Sequence, residues 1–154
     1  MSFNLLPTLP ILVPKAIAWA EEQQASIAKV GLPLDESLRD LATGVGVRQP
    51  ESIRICEVAR LPLPDDPLLR EAALATGLLG PHMVGLTLRY GVYICHGHSN
   101  IRLLSHEFRH VHQYERAGSI AGFLPTYLQQ VVTVGYYNAP FEVDARAHEV
   151  VYGA

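Results

Sequence analysis

His106-Glu107-Phe108-Arg109-His110 is the stretch on which the fold turns. On an α-helix, two residues four apart differ by only about 40° around the axis. Both imidazoles then leave one face with Cβ atoms roughly 5–6 Å apart, close enough for each ring to reach one zinc ion at about 2.0–2.1 Å. Glu107 sits next along the helix, too badly placed to be a comfortable third ligand. Its carboxylate can instead take a proton from water beside the ion, as this spacing requires in hydrolytic chemistry. The flanks are apolar: Leu103, Leu104, Phe108, Val111 and Tyr114 recur at helical spacing, so the helix is expected to be largely buried. Buried His and Glu need partners, and a metal ion satisfies all three at once.

The totals bound the rest. The chain has 154 residues, 49% hydrophobic and 18% charged, which fits one globular domain with a core of useful size. Its formal charge of −3 and lack of a basic run leave no electrostatic footprint for nucleic acid. Cys56 and Cys95 form no C-x-x-C pattern and read as buried thiols, although a single bridge between them stays open. A reducing, cytoplasmic setting is the expectation. Residues 1–20 are rich in Leu, Ile and Ala, but Pro7, Pro10 and Pro14 interrupt the run and no positive region precedes it. The segment is too short and broken to span a bilayer, and a docking arm is a better reading than a signal peptide.

Along the chain, Ala16 to Val30 is expected as a helix stopped by Gly31. Asp35 reads as the cap of a short helix reaching Ala42. Ser52 to Val58 alternates as a strand, and the Pro-rich 61–67 segment breaks it. A helix from Pro67 to about Ala75 follows, with Asp66 as its cap. Met83 to Cys95 is the clearest β pattern, with Val84, Leu86, Leu88, Tyr90 and Val92 on one parity and Gly91 as a bend or tight turn. His96 and His98 lie in a loop without an acidic or thiol partner and read as solvated. Ser99 or Asn100 should cap the motif helix, and Gly118 should end it. Ile120 to Val134 is a further helix, kinked or started near Pro125. Asn138-Ala139-Pro140 should open a last helix running to about Tyr152.

Two His leave a catalytic zinc one protein ligand short. Glu142 lies 32 residues beyond His110, which leaves room for one helix and a turn back. Spacing alone is even-handed here: an acid in a helix's first turn, four before Arg146, is also an ordinary surface ion pair.

Residues 106–116 (HEFRHVHQYER) and 138–146 (NAPFEVDAR) together resemble the zincin metallopeptidases, and more narrowly their gluzincin branch. Small bacterial domains of unassigned role share the look, and the resemblance covers about residues 83–152. It implies that His106, His110 and Glu142 are zinc ligands and Glu107 the general base. It also implies that the Val84–Cys95 region lies beside the active-site helix with an edge able to pair with an extended peptide. The chain departs from the pattern at Arg146, where better-known gluzincins carry an Asp that holds a ligand His; Asp144 or Glu149 is left to orient an imidazole. No third His extends the motif, which sets the metzincin branch aside.

The anion formed when hydroxide attacks a carbonyl needs a stabilising group. Tyr136, Tyr137, Arg146 and His148 are candidates, with Tyr137 and His148 foremost. Arg109 and His112 point away from the His pair. The expectation is thus an α+β fold, a mostly helical single domain around a small antiparallel sheet. Residues 1–66 form its N-terminal part and residues 83–152 its metal-site core. The expected function is zinc-dependent (Zn2+) hydrolysis of a peptide or protein substrate, with no nucleic-acid partner and no membrane span. A metal-binding scaffold without turnover is the alternative.

Overall fold

Residues 5–151 are described by the computed structural model. After a 3-10 turn at Leu6–Thr8, the elements run α1 (Leu9–Val30), β1 (Leu32–Pro33), α2 (Glu36–Gly44), β2 (Arg54–Val58) and α3 (Pro67–Thr76). They continue with β3 (Gly85–Leu88), β4 (Gly91–Cys95), α4 (Ile101–Ala117), α5 (Ile120–Val134) and α6 (Pro140–Ala147). The class is α+β, helices around one four-stranded sheet of order β1-β2-β4-β3.

The sheet is mixed, which corrects the antiparallel expectation. β1 runs antiparallel to β2 and β3 to β4, but β2 and β4 pair in parallel, with Ile55 opposite Val92 and Val58 opposite Cys95. Parallel neighbours need a long crossover, and α3 with β3 supplies it. Alternation inside β2 carries no sign of strand direction, so only the pairing reveals it.

The long β pattern splits at Arg89, whose φ of 60° makes the tight turn between β3 and β4. The turn moves the parity: Leu88 joins Tyr93 and Cys95 on one face, while Val92 and Ile94 face the other. All five β4 residues are buried because both faces are covered. Leu12, Ala16, Ala20 and Ile27 of α1 pack on the first face with α3 and α5. The second face holds Ala42 of α2 and Leu104, Phe108 and Val111 of α4.

The helix expected from Ala16 begins seven residues earlier, so most of the expected docking arm is α1. Pro10 occupies the first turn, where its missing N–H costs nothing. Pro14 falls inside the helix, and its cost of about 3 kcal/mol is offset by burying Leu12, Ala16 and Ala20. Residues 1–4 of the arm lie outside the described residues. Among those described, no helix is long and apolar enough to cross a membrane. Asp35, Asp66 and Asn100 cap α2, α3 and α4 by accepting from Leu38, Leu69 and Leu103 backbone N–H groups. α5 is capped by Ser119, whose hydroxyl accepts from Gly122 N–H, and runs through Pro125. The last helix stops at Ala147, short of the expected Tyr152, which lies outside the described residues. Its cap residue is Ala139 rather than Asn138, with no side-chain bond. Cys56 and Cys95 are both free thiols.

Candidate metal centre

α4 is amphipathic as its spacing requires, and its central turns are sunk between the sheet and α6: Ser105, His106, Glu107, Phe108 and His110 are all buried. The His106 and His110 rings stand edge to face with centroids 4.9 Å apart. α6 delivers the third group. Glu142, only 2% exposed, places Oε1 3.1 Å from His106 Nε2 and Oε2 3.0 Å from His110 Nε2. Ligand atoms of the three residues lie within 4.8 Å of one another. His96 and His98 join no such group among the described residues.

What holds α6 against α4 is a polar lattice built from the motif's own neighbours. Arg109 grips Asp144 with two bonds, Nε to Oδ2 at 2.8 Å and Nη2 to Oδ1 at 3.2 Å. Its Nη1 donates to Val45 O at 2.8 Å. Gln113 Nε2 donates to Phe141 O and to Asp144 Oδ2, at 2.9 and 2.8 Å. Phe141 N–H donates to Gln130 Oε1 of α5 at 3.0 Å. Glu142 is thereby fixed with both oxygens facing the imidazoles, and Tyr127 of α5 donates its hydroxyl to Oε2 at 2.7 Å.

The tautomers follow from the same bonds. Gln113 spends its amide N–H groups on Phe141 and Asp144, so its Oε1, 2.8 Å from His110 Nδ1, must accept. Glu149 Oε2, 2.9 Å from His106 Nδ1, is likewise an acceptor. Each Nδ1 therefore carries a proton, and in a neutral ring each Nε2 offers a lone pair. Those lone pairs face the two oxygens of Glu142, acceptor against acceptor. Such a contact is repulsive unless positive charge lies between.

The electrostatics report the same demand. Burial acts to lower the His110 pKa, but the hydrogen bond and charge of Glu142 outweigh it and carry the ring up to about 9. His106 is raised by the same contest. Burial would raise Glu142, yet bonds from His106 and His110 hold it well below the usual carboxylate range. The donor set also fits a metal. Tetrahedral ligation with bonds of about 2 Å spaces ligand atoms about 3.3 Å apart, near the separations here. Carboxylate and carboxamide groups on the outer nitrogens are what ligand histidines need to stay oriented. The buried His106, His110 and Glu142 group can hold a metal ion.

Glu107 takes no part in the triad. It turns toward β3, where Thr87 Oγ1 lies 2.8 Å from its Oε1 and 3.0 Å from its backbone oxygen. Burial raises its pKa, against the lowering influence of His110, His106 and Thr87. Gly85 makes room: a Cβ there would stand 3.0 Å from Glu107 Oε2.

Two expected groups lie elsewhere. Tyr137 is 70% exposed, with the Arg146 guanidinium 4.0 Å over its ring and bonded to its backbone oxygen. His148 caps the end of α6, its Nδ1 2.8 Å from Asp144 O. Neither lines the cavity beside the triad; Tyr127 and Tyr136 do. Of the adjacent tyrosines in the turn after α5, Tyr136 is half-buried and Tyr137 is turned to solvent. Tyr127 was legible only as one of α5's apolar positions. His112 bonds to Gly46 O and is structural. β3 lies at the edge of the sheet, with Gly85, Thr87 and Leu88 buried and Leu86 half-buried. Compared with models of known families, with curated proteins and with solved structures, the chain matches none.

Proposed function

We propose that the protein is a zinc-dependent hydrolase of amide bonds, of the metallopeptidase kind that its motif resembles. One observation carries the reading: two Nε2 atoms and a buried carboxylate converge on one point, with a further buried acid beside them that is not part of the set. A purely structural zinc would use four protein ligands and have no need of that acid.

His106, His110 and Glu142 would hold the ion, which supplies Lewis acidity when bound, acidifying water and polarising a carbonyl. Glu107 receives the proton of the attacking water. Its raised pKa brings it nearer the value at which a carboxylate both accepts that proton and returns it to the leaving amine. Thr87 fixes one oxygen of Glu107 and leaves the other to work. Glu149 and Gln113 keep the rings in the ligating tautomer. Tyr136, half-buried beside Glu142, is the group best placed to donate to an oxyanion; burial first and the Glu142 charge second keep its phenol protonated.

The test pairs elemental analysis with hydrolysis of a peptide library, for wild type and Glu107→Gln. A zinc hydrolase binds one equivalent of metal in both and turns over only as wild type. Metal in both and turnover in neither would replace the hydrolase with a metal-binding scaffold.

A further inference from the structure

Glu107, His110 and Glu142 line one cavity of about 130 Å³ together with residues of α1, α3, α5 and β3. Small residues line it, Ala16 and Ala20 from α1 and Ala72 and Ala73 from α3. Leucines at 12 and 79 complete the walls. Among the described residues, the only charged side chains on the lining are Glu107, His110 and Glu142, all at the metal end.

The Trp19 indole and the Tyr114 and Tyr136 hydroxyls also line it, and three further polar groups are engaged. Thr87 is bonded to Glu107, Tyr127 to Glu142, and Thr76 to Ala72 O of its own helix. Water needs two to four polar partners to settle in a cavity, and an apolar void of about 150 Å³ stays dry and takes up benzene. This cavity is close to that size, and most of its lining is apolar.

We infer that the cavity is the substrate-recognition pocket, and that it takes an uncharged hydrophobic group of about benzene size placed next to the scissile amide. The inference rests on the metal-hydrolase reading for the word substrate, but the pocket can be tested without it. A hydrophobic peptide side chain and a short acyl group share this chemistry, and the two sources differ only in what flanks the amide. A cationic group is disfavoured, because the only acids on the lining among the described residues are Glu107 and Glu142, both already engaged.

The experiment measures binding of a straight-chain amide series, acetamide to octanamide, to the metal-free protein by chemical-shift titration. Affinity should climb about four-fold per methylene and level off once the pocket is full, near hexanamide. The analogue 6-aminohexanamide should bind at least ten-fold more weakly than hexanamide. Ala72→Leu, which fills the space, should abolish the gain while leaving zinc stoichiometry unchanged. Equal affinity along the series, or equal binding of the amino analogue, would overturn the pocket whatever the metal does. The zinc-loaded protein is then given N-hexanoylglycinamide and acetyl-Gly-Leu-glycinamide. Faster cleavage of the first assigns an acyl group, and of the second a side chain. A chain-length dependence with cleavage of neither supports the pocket and sinks the hydrolase.

Discussion

Glu149 Oε2 lies 2.9 Å from His106 Nδ1, and Glu149 Oε1 accepts from Arg102 Nε at 2.8 Å. A residue beyond the end of α6 thus reaches back to the motif helix and orients one of its two imidazoles. Val150 N–H, donating to Ser105 Oγ at 2.8 Å, pins the segment that carries it. Burial acts to raise the Glu149 pKa, but the bonds from Arg102 and His106 hold it below the ordinary range, so it is an anion at neutral pH. Carboxylates in this position set the tautomer and the basicity of a ligand His, and losing one costs metal affinity about 10- to 100-fold. Glu149→Ala should show that loss in a zinc competition titration, with Glu149→Gln intermediate because it keeps an acceptor without the charge. Equal zinc affinity in all three would remove Glu149 from the centre.

Gly85 is the point where β3 passes closest to Glu107. A methyl group there would sit 3.0–3.2 Å from Glu107 Oε2, Cδ and Cγ, so the carboxylate must shift by a few tenths of an ångström. Reaction rates are sensitive to displacements of this order, with about 1 Å worth about 100-fold. Gly85→Ala is therefore expected to lower kcat by about ten-fold with KM and zinc content little changed. Unaltered kcat in a protein shown to hydrolyse peptides would mean that Glu107 is not the base.

Arg109 binds α4, α6 and the loop after α2 together through Asp144 and Val45 O. Removing it leaves a partly buried carboxylate and a carbonyl short of donors, which costs about 2 kcal/mol. For a chain of this length that is a fall in Tm of about 4–8 °C. Arg109→Met should show it in the metal-free protein by thermal melting. Zinc should restore part of it, since the ion joins the same two helices. A Tm within 1 °C of wild type (roughly the scale of an ordinary surface change) would show that the Asp144 bridge is not what docks α6.

The motif helix, its caps and its buried face were legible because each depends on residues within a few positions of one another. His106 and His110 share a face through helix geometry alone. Glu142 was half legible: its spacing allows it to return to the motif, but only the packing of α6 on α4 distinguishes a ligand from a surface acid. Glu149 was named with Asp144 as a group able to orient an imidazole. The last helix had been expected to contain it, whereas α6 ends at Ala147 and releases it to turn back. Thr87 and Tyr127 carried no local signal, since their hydroxyls meet Glu107 and Glu142 only after β3 and α5 have docked. The parallel pairing of β2 with β4 was hidden for the same reason: it is decided by a crossover of more than thirty residues, not by either strand.

Protons and metal compete for the same nitrogens, which fixes the sign of the pH dependence. In the metal-free protein the His110 pKa is raised from 6.5 to about 9. Its contribution to stability is fully present below 6.5 and is lost as pH rises through about 9. Glu142 is depressed below its ordinary 4.5, so its contribution is present above 4.5 and is lost as pH falls below that value. The metal-free fold should therefore be most stable, as far as this cluster decides, between about pH 4.5 and 6.5, and should lose Tm toward pH 9. Zinc must displace the imidazolium protons, so its affinity and the Tm increment it confers should grow over the range where the metal-free protein weakens. Melting curves from pH 5 to 9 with and without one equivalent of zinc would show two lines diverging as pH rises. Parallel lines would mean that zinc binds away from His106 and His110.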